Sequence, residues 1–426
     1  MGRSSRGACL LLAAVYPAGA RGAVGGANGP NSGCPSRRSE IPAPFRPVGQ
    51  RESIILMNGS GLSSASSMSG QPAAEAGASE SVRRVDCAIV GGGPAGLSAA
   101  VCLARMRRSV LVIDDRDGRS LWGQTNRNYL GFPNGIPAAE IRLAGRRQAA
   151  RYGAKFLRGQ VVAASREGGA FQFRVETPVG DRHGETAGRV ANVKRDEELG
   201  SSLGEETVVG PVDVVARTAI LATGVRDNFP RFLGWAQCVG KSLFWCIACD
   251  GFESTGKAVA VVGHDEDAAE TALDLLDFTA KVTIVAGRPE GFDLPERRLA
   301  DLHDNGIGAY PHAVAAYANA DGQIEELVLD DPDQTRLPVA TVFAYRRPTP
   351  RNDVAIALGV ETNGLGHIVV NAEQHTNVPG LYAAGDVTSP HDHQVSAAVH
   401  EGNQAACAAN YFLYRPVQKT PGQEEC

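Results

Sequence analysis

Short apolar runs, each closed by a glycine or an acid, recur along the chain and set its frame. Val85-Asp-Cys-Ala-Ile-Val90 is too short for a helix and almost wholly apolar, the pattern of a buried strand. An Ala- and Leu-rich helix is predicted from the next turn to about Arg105, and Ser109-Val-Leu-Val-Ile113 predicts a second strand. The same order returns later, with a strand at Lys257-Ala-Val-Ala-Val-Val262, an amphipathic helix over Ala268 to Phe278 and a strand at Lys281-Val-Thr-Ile-Val285. Thr218 to Thr223 and Val378 to Ala384 read as further apolar strands, ending in Gly224 and in Gly385-Asp386, and a helix from about Gln394 to Phe412 follows. Strands alternating with helices in this way predict an α/β chain carrying two Rossmann-like dinucleotide-binding folds.

Two stretches lack this patterning. Residues 1 to about 82 are rich in Ala, Gly, Ser and Pro without a sustained period, and are expected to be a disordered extension or targeting segment. A basic head, a short apolar core and Ala18-Gly-Ala20 suit a secretory signal, whereas many Arg and Ser with Glu40 as the only acid up to Arg51 suit an organelle transit peptide. A start at Met57 or Met68 is the third alternative. Residues 180 to 210, polar and charged, are expected to be a surface insertion, and residues 416 to 426 a polar tail.

Composition narrows the class. With 426 residues, 43% of them hydrophobic, and a net charge of -5, the chain has room for two or three globular domains and lacks the basic character of a nucleic-acid binder. No apolar run approaches the length of a membrane span. Nine cysteines are too sparse for a disulfide framework.

The first strand runs into Gly91-Gly-Gly93-Pro94-Ala95-Gly96, a G-x-G-x-x-G turn between strand and helix. There glycines permit a tight turn and close approach of a pyrophosphate, while the free N–H groups of the helix N-terminus receive the anion. Pro94 fits the first helical turn, where its missing donor costs nothing. Asp114, closing the second strand, stands where an acid accepts from a ribose 2'-hydroxyl. Asp386 at a strand end suits a ligand hydroxyl or, equally, a helix cap.

The second fold repeats the architecture without the chemistry. Its turn reads Gly263-His-Asp265-Glu266-Asp267-Ala268, so carboxylates crowd the helix N-terminus and would repel a pyrophosphate. After its second strand, Arg288 beside Glu290 is a thin platform for a nucleotide 2'-phosphate. This domain is expected to bind NADPH poorly or not at all, with a tolerant site built on Gly263 as the alternative.

Cys246-Ile-Ala-Cys249-Asp250, just ahead of that fold, has the C-x-x-C spacing of a two-electron dithiol, in which one thiolate attacks a partner and the other resolves the mixed disulfide. A zinc site would need further paired ligands, and Cys87, Cys102, Cys238, Cys407 and His264 are scattered. Cys102 and Cys407, among small apolar neighbours, read as core fillers, and Cys426 receives no role.

Taken together, Gly91 to Gly96, Asn128-Tyr-Leu-Gly-Phe-Pro133, Ala222-Thr223-Gly224, Cys246 to Gly251 and Ala384 to Val387 make the chain resemble the low-molecular-weight thioredoxin reductase family of flavoproteins, over roughly residues 84 to 415. The resemblance implies a split FAD domain, residues 83–236 and 340–415, with a nucleotide-type domain inserted at 237–339 and carrying the dithiol. It also implies a homodimer, non-covalent FAD and rotation between domains. Carried over, Cys246 is the thiol that attacks a substrate disulfide, Cys249 the thiol facing the flavin and Asp250 the acid/base. Gly91, Gly93, Pro94, Ala95, Gly96, Asp114, Asn128, Thr223, Gly224, Gly385 and Asp386 would hold FAD, and Gln394 would lie near its ring. The family's Arg-Gln-Ala is His393-Gln394-Val395 here, and its Gly-x-x-Pro-Asn stretch is Tyr345 to Arg351. Similar departures occur in ferredoxin-linked thioredoxin reductases and in flavin dithiol oxidases.

The expected activity is two-electron transfer between FAD and the Cys246/Cys249 pair, and to or from a thioredoxin-like protein or a small dithiol or disulfide. The electron source is NADPH, ferredoxin or the substrate dithiol. The alternatives are a dithiol oxidase in which His391 or His393 serves as base, those histidines being otherwise ordinary surface residues, and a flavin-binding scaffold without reductase activity. A cytoplasmic location is expected, with an organelle stroma or matrix as the alternative.

Overall fold

The computed structural model describes residues 82–122, 124–178, 187–228, 234–344, 347–391 and 393–419. The expected N-terminal extension, the insertion up to residue 186, Tyr345, Arg346, Asp392 and Cys426 lie outside the described residues.

The first apolar run becomes strand β1 (Arg83–Val90), followed by helix α1 (Pro94–Arg105) and strand β2 (Val110–Asp114). Helix α2 (Ala138–Arg151) and helix α3 (Ala187–Ser202) precede strand β3 (Val212–Leu221). β1 lies between β2 and β3 and runs parallel to both, with Ile89 opposite Val112 and Ile220. A strand buried on both faces loses its polar positions, which is why β1 reads as an unbroken apolar run.

The second sheet arises between β3 and its next neighbour in the first sheet. In it, strand β4 (Val259–Val262) leads into helix α4 (Glu266–Asp274), and strand β5 (Thr341–Ala344) returns from a three-stranded antiparallel sheet. Five parallel strands result, in the order Leu243–Phe244, β5, β4, Val282–Val285, Gly308–Tyr310. β5, placed from sequence at the head of the returning segment, pairs on both sides within this second sheet. The chain then rejoins the first sheet through strand β6 (Leu381–Ala383), parallel to β3, and ends its core in helix α5 (Val395–Phe412). The α/β architecture with two Rossmann-like sheets is the expected one.

α1 and α5 pack together over one face of the first sheet. A side chain on Gly402 would place its Cβ 2.1 Å from the Ala95 carbonyl oxygen, and Ser98 donates to the Val399 carbonyl at 2.7 Å. Below them Ile89, Leu103, Ile220 and Tyr382 are sealed from solvent. Each such large apolar side chain stabilises the fold by roughly 1.5–3 kcal/mol.

The insertion departs from expectation. Within α3, Asp196 is 0% exposed and Arg189 2%, so this helix turns part of its charge inward while Lys194, Arg195 and Glu198 stay exposed. Its partners are arginines that the sequence places far away, as described below.

Candidate active site

The turn after β1 is shaped by contacts that leave no room for side chains. Gly91 has φ +111°, and a Cβ there would lie 2.1 Å from the Ala222 carbonyl oxygen at the end of β3. A Cβ on Gly96 would lie 2.0 Å from the Gly91 carbonyl oxygen, so α1 can seat on the turn only with glycine at that place. Gly93 faces open space. Gly91, Gly93, Pro94 and Ala95 line a long cavity, with Asp114, Thr223, Gly224, Gly385, Asp386 and Gln394 further along its wall. Gly96 acts behind this wall through packing.

Cys246, Cys249 and Asp250 border the same cavity. The cysteines form a disulfide, with Cys246 at the N-cap of the short helix Ile247–Asp250 and Cys249 within it. Burial pushes the Asp250 carboxyl up to about 7; Arg127, 3.4 Å away, opposes the shift and Glu253 reinforces it. Asp250 therefore exchanges a proton near neutrality beside a pair of sulfurs, which suits an acid/base.

Asn128 and Gln394 meet beside the disulfide, Gln394 from the cavity wall. Asn128 is exposed, outside the cavity lining, and its Nδ2 donates to Gln394 Oε1 at 2.9 Å and to the Ala248 carbonyl at 3.3 Å. Gln394 Nε2 lies 3.5 Å from each cysteine sulfur. Both side chains thus serve the disulfide.

Asp114 accepts from the Gly92 amide at 3.1 Å and pairs with Arg142. Burial pushes its carboxyl up, but Arg142, Arg146 and the Gly92 N–H outweigh this and hold it down at about 2. Arg142 also donates to the Gly92 carbonyl at 2.6 Å and to Asp196 at 2.9 Å. Asp196 in turn receives Arg116 at 2.8 Å and Arg146 at 2.9 Å, and Glu205 pairs with both of those arginines. α3 is therefore tied to the acid at the end of β2 through a buried network in which three arginines meet three carboxylates.

At the other end, Asp386 pairs with Arg119 at 2.8 Å, and Arg119 pairs with Asp227 at 2.5 Å. Asp386 is thus an ion-pair partner as well as a wall residue. Burial opposes the charge on Arg119, but Asp227 and Asp386 hold its guanidinium well above the usual range. Gly385, at φ +81°, donates its N–H to Glu401 at 2.6 Å. Thr223 donates to the Arg351 carbonyl at 2.6 Å, and Arg351 itself reaches Asp115 at 3.2 Å. His393 joins the cavity wall, with Nε2 2.8 Å from the Ser389 carbonyl. Its ring centre is 6.1 Å from that of His367, a buried histidine that burial, His393 and His391 keep below the ordinary histidine range.

Arg119, Arg142 and His367 carry no local motif, and reading the sequence passes over them. Cys407 departs from its reading as a core filler. It is exposed on α5, and burial, reinforced by Cys407, pushes the thiol of the partly buried Cys102 of α1 up to about 12. The packing of α1 on α5 brings the pair together.

The turn of the second sheet bears out the acidic pattern in its geometry. Asp265 caps α4 by accepting from the Ala268 amide at 3.2 Å, Glu266 pairs with Arg298, and Asp267 pairs with Arg347. Arg288 donates to the Gly291 carbonyl at 2.8 Å. Arg288, Arg298 and Arg347 are thus engaged by protein acceptors.

Residues 85–402 match the pyridine nucleotide-disulphide oxidoreductase family. The chain belongs to that family. Among curated relatives, the thioredoxin reductase of Aquifex aeolicus is 28% identical over 341 residues, covering 77% of this chain and 93% of that protein. An alkyl hydroperoxide reductase protein of Pseudomonas putida is 28% identical over 340 residues, 78% of this chain, but this chain spans only 58% of its length. The solved structure of HlmI is 27% identical, with a TM-score of 0.64, over 77% of this chain and 92% of that one. The chain is thus similar to thioredoxin reductases, within a family of oxidoreductase enzymes that bind flavin and pyridine nucleotide. The glycine cradle above fits the pyrophosphate of a dinucleotide. Gly91 and Gly96 have no space for a Cβ, Gly93 leaves the helix N-terminus open, and the cavity runs from there to the disulfide.

Proposed function

We propose that the protein passes two electrons between FAD and the Cys246–Cys249 pair, and between that pair and a dithiol or disulfide partner of the thioredoxin-like class. The observation that carries this reading is the shared cavity: a glycine-rich phosphate turn at one end and a disulfide with Asp250 beside it at the other. When bound, FAD supplies reversible two-electron chemistry next to the disulfide. The chain's residues do the rest. Gly91, Gly93 and the start of α1 receive the pyrophosphate; Asp114, kept ionised by Arg142, offers an acceptor to the ribose; Arg119 fixes Asp386 in the wall. Asp250 takes or gives the proton that accompanies opening of the disulfide.

The electron source is the finer part of the proposal. The capped, acid-filled turn at α4 and its engaged arginines support weak use of NADPH. Anaerobic titration with NADPH, NADH, reduced ferredoxin and reduced thioredoxin, followed by flavin absorbance, separates the donors. Slow or absent bleaching by the nicotinamides and prompt bleaching by a thiol or ferredoxin is expected; prompt bleaching by micromolar NADPH would refute weak nucleotide use. His393 in the cavity wall supports a second reading, a dithiol oxidase in which oxygen accepts the electrons. Oxygen consumption driven by a dithiol, without nucleotide, tests it.

A further inference from the structure

The disulfide is gripped by an amide whose orientation is fixed from outside the cysteine pair. Asn128 Nδ2 donates to the Ala248 carbonyl at 3.3 Å, and a carbonyl only accepts, so the Asn128 NH2 group must face it. The second N–H of that group then meets Gln394 at 2.9 Å and requires it to present oxygen there. This turns the Gln394 NH2 group to the sulfurs, 3.5 Å from Cys246 Sγ and 3.5 Å from Cys249 Sγ. Gln394 Oε1 also stands 3.7 Å from Cys249 Sγ, in reach of a thiol proton on that residue.

Against a disulfide these contacts are weak, because neutral sulfur is a poor acceptor. Reduction changes their weight. Two electrons and one proton from a dithiol, which itself becomes a disulfide and releases its second proton to solvent, break the S–S bond and leave one thiolate and one thiol. If Cys249 keeps the proton, it donates to Gln394 Oε1 while a Cys246 thiolate accepts from Nε2. The opposite assignment sets the amide oxygen against a thiolate. Hydrogen bonds to the charged form favour it.

We infer that Gln394, oriented by Asn128, places the charge of the reduced pair on Cys246, the sulfur to which the family resemblance already gives the attack. This rests on the dithiol function proposed above. Gln394 touches the reacting atoms and is a catalytic residue; Asn128 acts through it and is a positioning residue.

The test uses the full-length protein as purified, reduced anaerobically with dithiothreitol, freed of reductant and pulsed with limiting iodoacetamide between about pH 5 and pH 9, where thiols titrate. Peptide mapping counts the label on each cysteine. Cys246 is expected to be labelled first. In Gln394→Leu and Asn128→Ala the profile moves up by about one pH unit, so labelling near pH 6 is roughly tenfold slower while the high-pH plateau is unchanged. The preference for Cys246 also falls. Asn128→Asp, an acceptor where a donor stood, reverses the amide and slows labelling further than Asn128→Ala. An unmoved profile and an unmoved labelling ratio in both Gln394→Leu and Asn128→Ala overturn the inference. Should Gln394→Leu fail to fold by circular dichroism, Asn128→Ala, at an exposed side chain, decides alone. Alkylation needs no electron transfer to flavin, so failure of the proposed function is read separately, as a flavin absorbance that never responds to added dithiol.

Discussion

Asp250 sits in a conflict between burial and charge that makes its proton mobile. Its folded-state carboxyl lies at about 7, against an ordinary 3.8, so the folded protein holds the proton more tightly than the unfolded chain does. The sign follows directly: folding carries no penalty below the ordinary value, the cost grows as pH rises, and it is complete above about 7. Asp250→Asn is expected to raise the thermal midpoint at pH 8 by an amount worth at most about 4 kcal/mol, and to leave it unchanged near pH 4. Melting curves at the two pH values check this, and an equal gain at both would rule out the carboxyl as its source. The same substitution is expected to slow electron exchange between dithiol and flavin by roughly 10²–10⁴-fold at neutral pH and to erase its inflection near 7. Stopped-flow absorbance across pH measures both effects.

At the scale of elements, α3 shows what a local pattern conceals. The phosphate turn could be read from sequence because its parts are contiguous: β1, the glycines, α1 and β2 follow one another within a few residues. The C-x-x-C motif is legible for the same reason. Asp196, by contrast, meets Arg116, Arg142 and Arg146 across 80, 54 and 50 residues, and nothing near it in sequence announces that it faces inward. Asn128 and Gln394, 266 residues apart, form a pair only because the loop after β2 and the start of α5 converge on the disulfide. Asp196→Asn leaves buried arginines without their shared counter-charge, and an expected loss of about 3–5 kcal/mol follows in urea unfolding, together with earlier release of flavin. Burial raises the Asp196 carboxyl, but Arg142 and Arg146 overcome it and hold it below the ordinary 3.8. Its stabilisation is therefore present at neutral pH and lost as pH falls through the folded value, so variant and wild type converge in acid. Glu140→Gln, which removes an exposed partner of Arg195 on the same helix, is the contrast and is expected to change stability by less than about 1 kcal/mol.

Across the whole molecule, two sheets of one design carry opposite chemistry at the same place. In the first, the turn after the leading strand keeps its glycines and offers the N-terminus of α1 to an anion. In the second, Asp265 has taken the capping position, and Glu266 and Asp267 fill the first turn of α4 and draw Arg298 and Arg347 onto themselves. Helix N-termini favour negative charge, so carboxylates built into the protein occupy the field that a dinucleotide phosphate would use. The weak nucleotide use proposed above would be local and reversible by substitution, because β4 and the strand Val282–Val285 keep their parallel register. Asp265→Gly combined with Glu266→Ala removes two of the charges and releases Arg298 from Glu266, while glycine at the cap costs only a few tenths of a kcal/mol. The expected outcome is a fall of tenfold or more in KM for NADPH in flavin reduction, steeper at low salt, where unscreened charge counts most. An unchanged KM in a folded double variant would show that the acidic turn is not what limits nucleotide use, and the cause would then lie elsewhere in the second sheet, at the lone Arg288 and its carbonyl partner.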